Sequence, residues 1–329
     1  MLFRSDLDGG TGPLIIRGDS INLGTAVAGA EELIIEPLSA SRDIQLGGAI
    51  TPPSALTLST SELLNIYDGF TAITIGHSEG TGTITLGADI TLLSPSTLLA
   101  PQGNGTINTQ GFNLIAPELT LTAAQDITAA TLTAANGITL KSGRAVSTQN
   151  ILTADPVNGG NIVIDAATTI TTQQLDTTGI AGTGGSVALN AADTIEVQSI
   201  RAEGAMAGGN VDITTPQFLR VTDSFTNLDS NIASISTAAA NGTGNITIRH
   251  GGNSATPFAV DNSSILGSHA MITSGDFQIP TGNSFINSYT LGNISLLTQD
   301  ITPTITQPLA PIPAIATPTP EIITSTTPI

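Results

Sequence analysis

The sequence predicts an all-β chain wound as a right-handed parallel β-helix, with three short strands in each coil of about 24 residues. Three observations carry that prediction. A short phrase recurs at a nearly fixed step. Small and β-branched residues dominate, with 50 Thr and 35 Gly among 329 residues. Charged and aromatic residues are scarce, at 10% and 3%.

The phrase is Gly, usually a small polar residue, then an apolar–x–apolar triplet. It reads Gly137-Ile138-Thr139-Leu140, Gly160-Asn161-Ile162-Val163-Ile164 and Gly185-Ser186-Val187-Ala188-Leu189. It returns as Gly209-Asn210-Val211-Asp212-Ile213, Gly244-Asn245-Ile246-Thr247-Ile248 and Gly292-Asn293-Ile294-Ser295-Leu296. The first apolar residues, Ile138, Ile162, Val187 and Val211, step by 24, 25 and 24. The next steps, to Ile246 and Ile294, are 35 and 48, the latter twice 24.

Within a coil the anchors are spaced 8 and then 5: Ile138, Val146, Ile151; Ile162, Ile170, Leu175; Val187, Ile195, Ile200. After Val211 and Leu219 the third anchor, Ile235, arrives 11 residues late. That excess predicts an insertion near 222–232, with Asp223-Ser224-Phe225-Thr226-Asn227-Leu228-Asp229 as its body. Alternation along a strand turns Ile162 and Ile164 inward and Val163 outward. Stacking like residues on like about every 4.8 Å suits small aliphatic side chains in a narrow interior. The Asn of the phrase (Asn161, Asn210, Asn245, Asn293) is placed for an amide ladder between coils, with Ser186 the exception. Connections between parallel strands are right-handed by default.

In chain order, residues 1–12 read as a frayed or artefactual start. Leu2-Phe3-Arg4-Ser5 is what CTCTTCCGATCT encodes, a string resembling the end of a sequencing adaptor. No secretion signal is visible, and the natural N-terminus is expected to be missing. Residues 13–136 keep the strand vocabulary but lose the metre, as in Ile73-Thr74-Ile75, Ile84-Thr85-Leu86 and Leu119-Thr120-Leu121. They read as irregular coils of unequal length, with a β-sandwich over 13–130 as the competing arrangement. Residues 137–300 read as regular coils. Residues 301–329 hold seven of the 18 prolines and no Gly, the composition of a Pro/Thr-rich linker or stalk.

Composition excludes several functions. Eight basic against 26 acidic residues give a net charge of −18, which offers no basic stripe to nucleic acid. Zero Cys removes disulfide scaffolds, thiolate metal sites and cysteine nucleophiles from this segment. No run of about 18 apolar residues exists to span a membrane.

The stretch Gly208-Gly209-Asn210-Val211-Asp212-Ile213-Thr214-Thr215, the following Phe218-Leu219-Arg220-Val221-Thr222-Asp223, then Ala233-Ser234-Ile235-Ser236-Thr237, Gly244-Asn245-Ile246-Thr247-Ile248-Arg249-His250-Gly251-Gly252 and Thr256-Pro257-Phe258 resemble a known group. Tyr289-Thr290-Leu291-Gly292-Asn293-Ile294 continues the match. Together they are similar to the C-terminal part of large bacterial proteins of the filamentous-haemagglutinin type. The resemblance implies a right-handed parallel β-helix and two-partner secretion through an outer-membrane transporter barrel. Some relatives carry a caspase-like CHAT protease domain after a Pro/Thr linker. The family's N-terminal secretion domain is not in this sequence, nor is a CHAT domain.

The chemical motifs are sparse. Arg17-Gly18-Asp19 is an integrin-type adhesion tripeptide; it also reads as an ordinary turn after Leu14-Ile15-Ile16. His250-Gly251-Gly252 matches an oxyanion-hole phrase, but no G-x-S-x-G elbow accompanies it, and a turn after Ile248 explains both glycines. His77, His250 and His269 lack metal-ligand spacing and read as scattered turn residues. Gly208-Gly209-Asn210-Val211-Asp212 lacks the third glycine of a calcium-binding repeat. Arg201 with Glu196 and Glu203 is the nearest approach to the acid–base cluster of a β-helix lyase or hydrolase. No catalytic, cofactor or metal residue is therefore expected. The insertion, with Asp223, Phe225, Asn227 and Asp229, is the candidate binding loop.

These readings predict a fragment of a secreted or cell-surface adhesin with the role of a structural rod. Its expected partners are a glycan, a cell surface or matrix, and a secretion transporter. A passive stalk before a C-terminal effector is the second reading, and a carbohydrate-active β-helix enzyme the third.

Overall fold

The computed structural model describes residues 7–8, 12–48, 54–253, 255–261 and 265–299. The linker assigned to 301–329 and most of residues 1–12 lie outside them. The described chain is an all-β parallel β-helix.

The first strand of every coil lies in one ladder. It runs from Leu14–Arg17 through Glu32–Glu36, Ala72–Gly76, Ser96–Ala100, Leu119–Ala123, Gly137–Ser142, Asn161–Ala166, Val187–Ala191, Val211–Thr214 and Ile246–His250 to Ile294–Thr298. All these neighbours are parallel and in register, with Ile138 beside Ile162, Ile162 beside Val187 and Val187 beside Val211. The alternation is as the pattern predicts: Ile162 and Ile164 are fully buried and Val163 is half-exposed. The aliphatic columns of successive coils merge into one continuous core, as expected when each coil buries its apolar face only against its neighbours.

The anchors at the 8-residue and 5-residue spacings form second and third ladders. They include Val146–Thr148 and Ile151–Leu152. In the next two coils these strands fuse into single bent strands, Ile170–Asp176 and Ile195–Arg201, so the two ladders share one sheet.

The glycine of the phrase has a steric cause. A Cβ on Gly185, Gly209 or Gly244 would stand 2.0, 1.9 and 1.9 Å from the carbonyl oxygen of the equivalent glycine one coil earlier. No side chain fits where adjacent backbones approach so closely. The asparagine ladder differs from expectation. Asn161 Oδ1 accepts the Ser186 N–H at 2.8 Å, Ser186 Oγ accepts the Asn210 N–H at 3.1 Å, and Asn210 Oδ1 accepts the Asn245 N–H at 2.9 Å. Each side chain caps the backbone of the next coil, so Ser186 serves as well as Asn. Buried threonines close the same corner: Thr153 and Thr177 hydroxyls donate to the Gly160 and Gly185 carbonyls, both at 2.6 Å.

The 48-residue step is not two regular coils. Ile246 pairs directly with Ile294, so residues 246–294 make one enlarged turn. Within it, Gln278–Ile279, Asn283–Phe285 and Tyr289–Leu291 pair antiparallel with Met271–Thr273, Phe258–Val260 and Ile294–Thr298. Residues 278–291 thus form a return coil that passes the three ladders in reverse order across the C-terminal end. The coils towards the other end of the described chain are irregular in another way. Ala55–Leu58 adds a strand outside Asp43–Leu46. A helical turn, Thr60–Leu63, follows with a Ser59/Glu62 capping box. Glu62 also accepts the Leu23 N–H at 3.1 Å, tying that turn to the first coil.

Candidate functional site

The insertion near 222–232 is a short hairpin: Phe225 and Thr226 pair antiparallel with Ala233 and Ile232. Its turn places Ser230 at φ 62°. The hairpin is docked on the rod by a buried carboxylate. Glu203, fully buried, accepts the Arg201 Nε–H at 2.7 Å, the Ser236 hydroxyl at 2.6 Å and the Leu228 N–H at 3.1 Å. Three donors around one carboxylate are what a buried charge needs. Asp223 N–H donates to the Gln198 carbonyl at 2.9 Å. The Asp223 carbonyl in turn accepts the Ser234 hydroxyl at 2.6 Å.

The four candidate loop residues divide. Asn227 is buried, its Oδ1 accepting the Asn231 N–H at 2.8 Å, so it shapes the turn and is not presented to solvent. Phe225 is half-buried beneath the Arg201 guanidinium, 5.5 Å from its ring centre. Asp223 and Asp229 are exposed. Leu228 and Ile232, which the sequence reading did not select, are also exposed, at 49% and 57%. The outward surface of the hairpin is therefore acidic and apolar.

A second surface was missed. The corner loops between the third and first ladders stack on one another through backbone bonds, Ile180 N–H to the Asp155 carbonyl at 3.1 Å and Met206 N–H to the Gly182 carbonyl at 2.8 Å. Each carries an exposed apolar tip: Val157, Ile180 and Met206, at 59%, 67% and 59%. The signal was one large apolar residue per Gly-rich corner, hidden because such corners read as turns. Glu203 lies in the Met206 loop, so this ridge and the hairpin adjoin.

The remaining motifs also make contacts within the fold. Arg17 pairs with Glu36 of the next coil, its Nε 2.7 Å from Oε1, and Gly18 N–H donates to the Glu36 carbonyl at 3.1 Å. Asp19 accepts the Leu38 N–H at 3.1 Å and lies 3.8 Å from Arg42. Both charges of the tripeptide thus face neighbours of this chain. The reading of His250 as a turn residue is corrected: it is the last inward residue of its strand and only 1% exposed, because the strand continues to His250 and does not end at Ile248. Gly252 N–H is bound to His250 Nδ1 at 3.1 Å and so is not free for an oxyanion. Burial lowers the imidazole pKa from 6.5 to about 4, the neutral ring being favoured where no water solvates the cation. His77 does sit in a turn, its Nδ1 accepting the Glu79 N–H at 3.0 Å.

Glu196 binds Arg220 of the next coil at 2.7 Å, while Glu203 holds Arg201, so the three residues of the lyase-like cluster separate into two neutralised pairs. Among the described residues no group of three or more His, Asp or Glu side chains converges to hold a metal ion. The crevice lined by Pro37, Arg42, His77, Gly80 and Leu99 has about 190 Å³ of empty space, open solvent included. No helix among the described residues is long and apolar enough to cross a membrane. No family model matches the chain, and neither does a curated protein or a solved structure.

Proposed function

We propose that the chain is the rod segment of a secreted or cell-surface adhesin that presents the 222–232 hairpin to a macromolecular partner. The observation that carries this reading is the docking of the hairpin. An inserted loop on a repeat scaffold is ordinarily tolerated as a loose excursion. Here a buried glutamate, an arginine stacked on Phe225 and bonds to Gln198 and Ser234 hold it in one pose. Holding a loop rigid reduces the ordering cost when its surface meets a partner. Exposed Asp223, Asp229, Leu228 and Ile232 suit a basic, partly apolar surface better than a neutral sugar. A glycan, a cell surface or matrix are the partner classes to compare.

The haemagglutinin-type reading, with its transporter-dependent export, rests on the sequence phrases around 208–258 and 289–294. The test is adhesion of cells displaying the chain, with and without residues 222–232. Loss of adhesion with an unchanged circular dichroism spectrum supports the proposal. Unchanged adhesion overturns the role of the hairpin.

A further inference from the structure

Five consecutive coils keep the third inward position of the first ladder small: Ala100, Ala123, Ser142, Ala166 and Ala191 stand in register. In the strand Ile246–His250 that position is filled by an imidazole. Gly251 and Gly252 follow it, and a Cβ on Gly252 would stand 2.8 Å from His250 Nδ1. The ring leans on Phe258 with centroids 5.0 Å apart. Phe258 is the cross-strand partner of Phe285, and Phe285 stacks on Tyr289 at 4.3 Å. A titratable side chain therefore begins an aromatic line that ends in the return coil.

Among the described residues, the elements packed against the ring set no countercharge against it. On its own strand, Arg249 is taken up by Asp212 of the preceding coil. The neighbouring strands Val211–Thr214 and Ile294–Thr298 carry only that Asp212 and no charge, respectively, and loop 215–217 carries none. Phe258–Val260 is uncharged and followed by Asp261; Gly267–Ser268 is uncharged and followed by His269. Desolvation alone sets the protonation of His250, with no carboxylate acting on it.

We propose that His250 is an acid-sensitive latch, whose protonation loosens the return coil 278–291 from the end of the rod while the coils before Val211 stay folded. A protonated ring has donors on both nitrogens, so Nδ1 no longer accepts the Gly252 N–H. It also leaves an unpaired cation in the core. The folded pKa, about 4, lies below the unfolded 6.5, so the opened form takes up the proton. Opening becomes easier as pH falls from 6.5 towards 4, by up to about tenfold per pH unit and roughly 80-fold across the window.

The chain has no Trp and two tyrosines, Tyr67 and Tyr289, in opposite halves of the sequence. In the full chain carrying Tyr67→Phe, acrylamide quenching of tyrosine emission reports Tyr289 alone. Quenching is expected to rise between pH 6.5 and 4 while far-ultraviolet circular dichroism is retained. His250→Asn keeps an acceptor for Gly252 and does not titrate, so it should remove the step. An identical step in His250→Asn, no step in the parent, or simultaneous loss of the dichroism overturns the latch. Hydrogen exchange on the unmodified chain is the second readout. Corrected for intrinsic rates, peptides covering 278–298 must gain exchange over this window and those covering 137–214 must not; equal gains overturn it.

Discussion

The coils between residues 96 and 214 and the turn from 246 to 298 solve one problem in two ways. The first group advances by 23, 19, 24, 25 and 24 residues per coil, and each coil satisfies its backbone on the identical edge of its neighbours. The second spends 48 residues on a single turn, brings in His250, Phe258, Phe285 and Tyr289, and runs its last coil backwards. Identical coils can stack without limit, but a stack has ends, and an open ladder edge is a template for unwanted pairing. Reversal of the chain direction, with strands of only two or three residues, interrupts that template. Ends of repeat proteins depart from the repeat because they face solvent where inner coils face each other.

A buried charge should act differently in the two regions. Ile164→Asp places an unpaired carboxylate in the middle of the shared core and should cost about 3–5 kcal/mol, read as a lower urea midpoint for the whole rod. Ile279→Asp, at the buried point of the return coil, should release that coil locally and leave the central urea transition in place. Equal effects on the global midpoint would abolish the distinction.

Acidification sharpens it further. Since His250 has its pKa lowered in the folded state, its contribution to stability is complete above pH 6.5 and is lost as pH falls towards 4. The loss is about 3 kcal/mol across the window, measured as the difference between parent and His250→Asn so that carboxylate contributions cancel.

A third pair of variants compares corners. Gly209→Ala, in the tight central stack, should destabilise by about 2 kcal/mol, since its Cβ collides with backbone that cannot move aside. Gly242→Ala, with no atom within 3.7 Å of the new Cβ, should be neutral or raise stability by about 0.4–1 kcal/mol through the unfolded chain. Thermal midpoints decide both. The smallest effect belongs to the surface: Arg220→Ala breaks a pair with Glu196 that is some 40% exposed and should change stability by less than about 1 kcal/mol. A larger change would show that lateral charges help align the coils.

Much of the central stack was legible because its signal is periodic. Ile138, Ile162, Val187 and Val211 sit beside one another as their spacing requires, and the late arrival of Ile235 located the hairpin. The C-terminal turn was not legible, since 48 is a multiple of 24 and arithmetic cannot distinguish two coils from one coil with a return. The candidate loop was legible as a place but not as a surface. Asn227 and Asp229 are two residues apart in one polar turn, yet the first faces inward and the second outward. The Val157, Ile180 and Met206 ridge escaped notice because a single apolar residue in a glycine-rich corner has no period shorter than the coil itself.

The sequence by itself determined the strand-rich composition, the step, and which face of each regular strand is buried, because a period of two and a period of 24 are properties of the string. Only the tertiary structure decided which coils pair directly, where the chain reverses, and where polar side chains are spent. Those depend on contacts between residues tens of positions apart: Glu203 holds Leu228 and Ser236, and Asn210 caps Asn245. Glu203 shows the physical reason. Its charge looks surface-bound in a linear reading, and it becomes the buried anchor of a hairpin only when the next coil adds two donors to that of Arg201 and so offsets its desolvation.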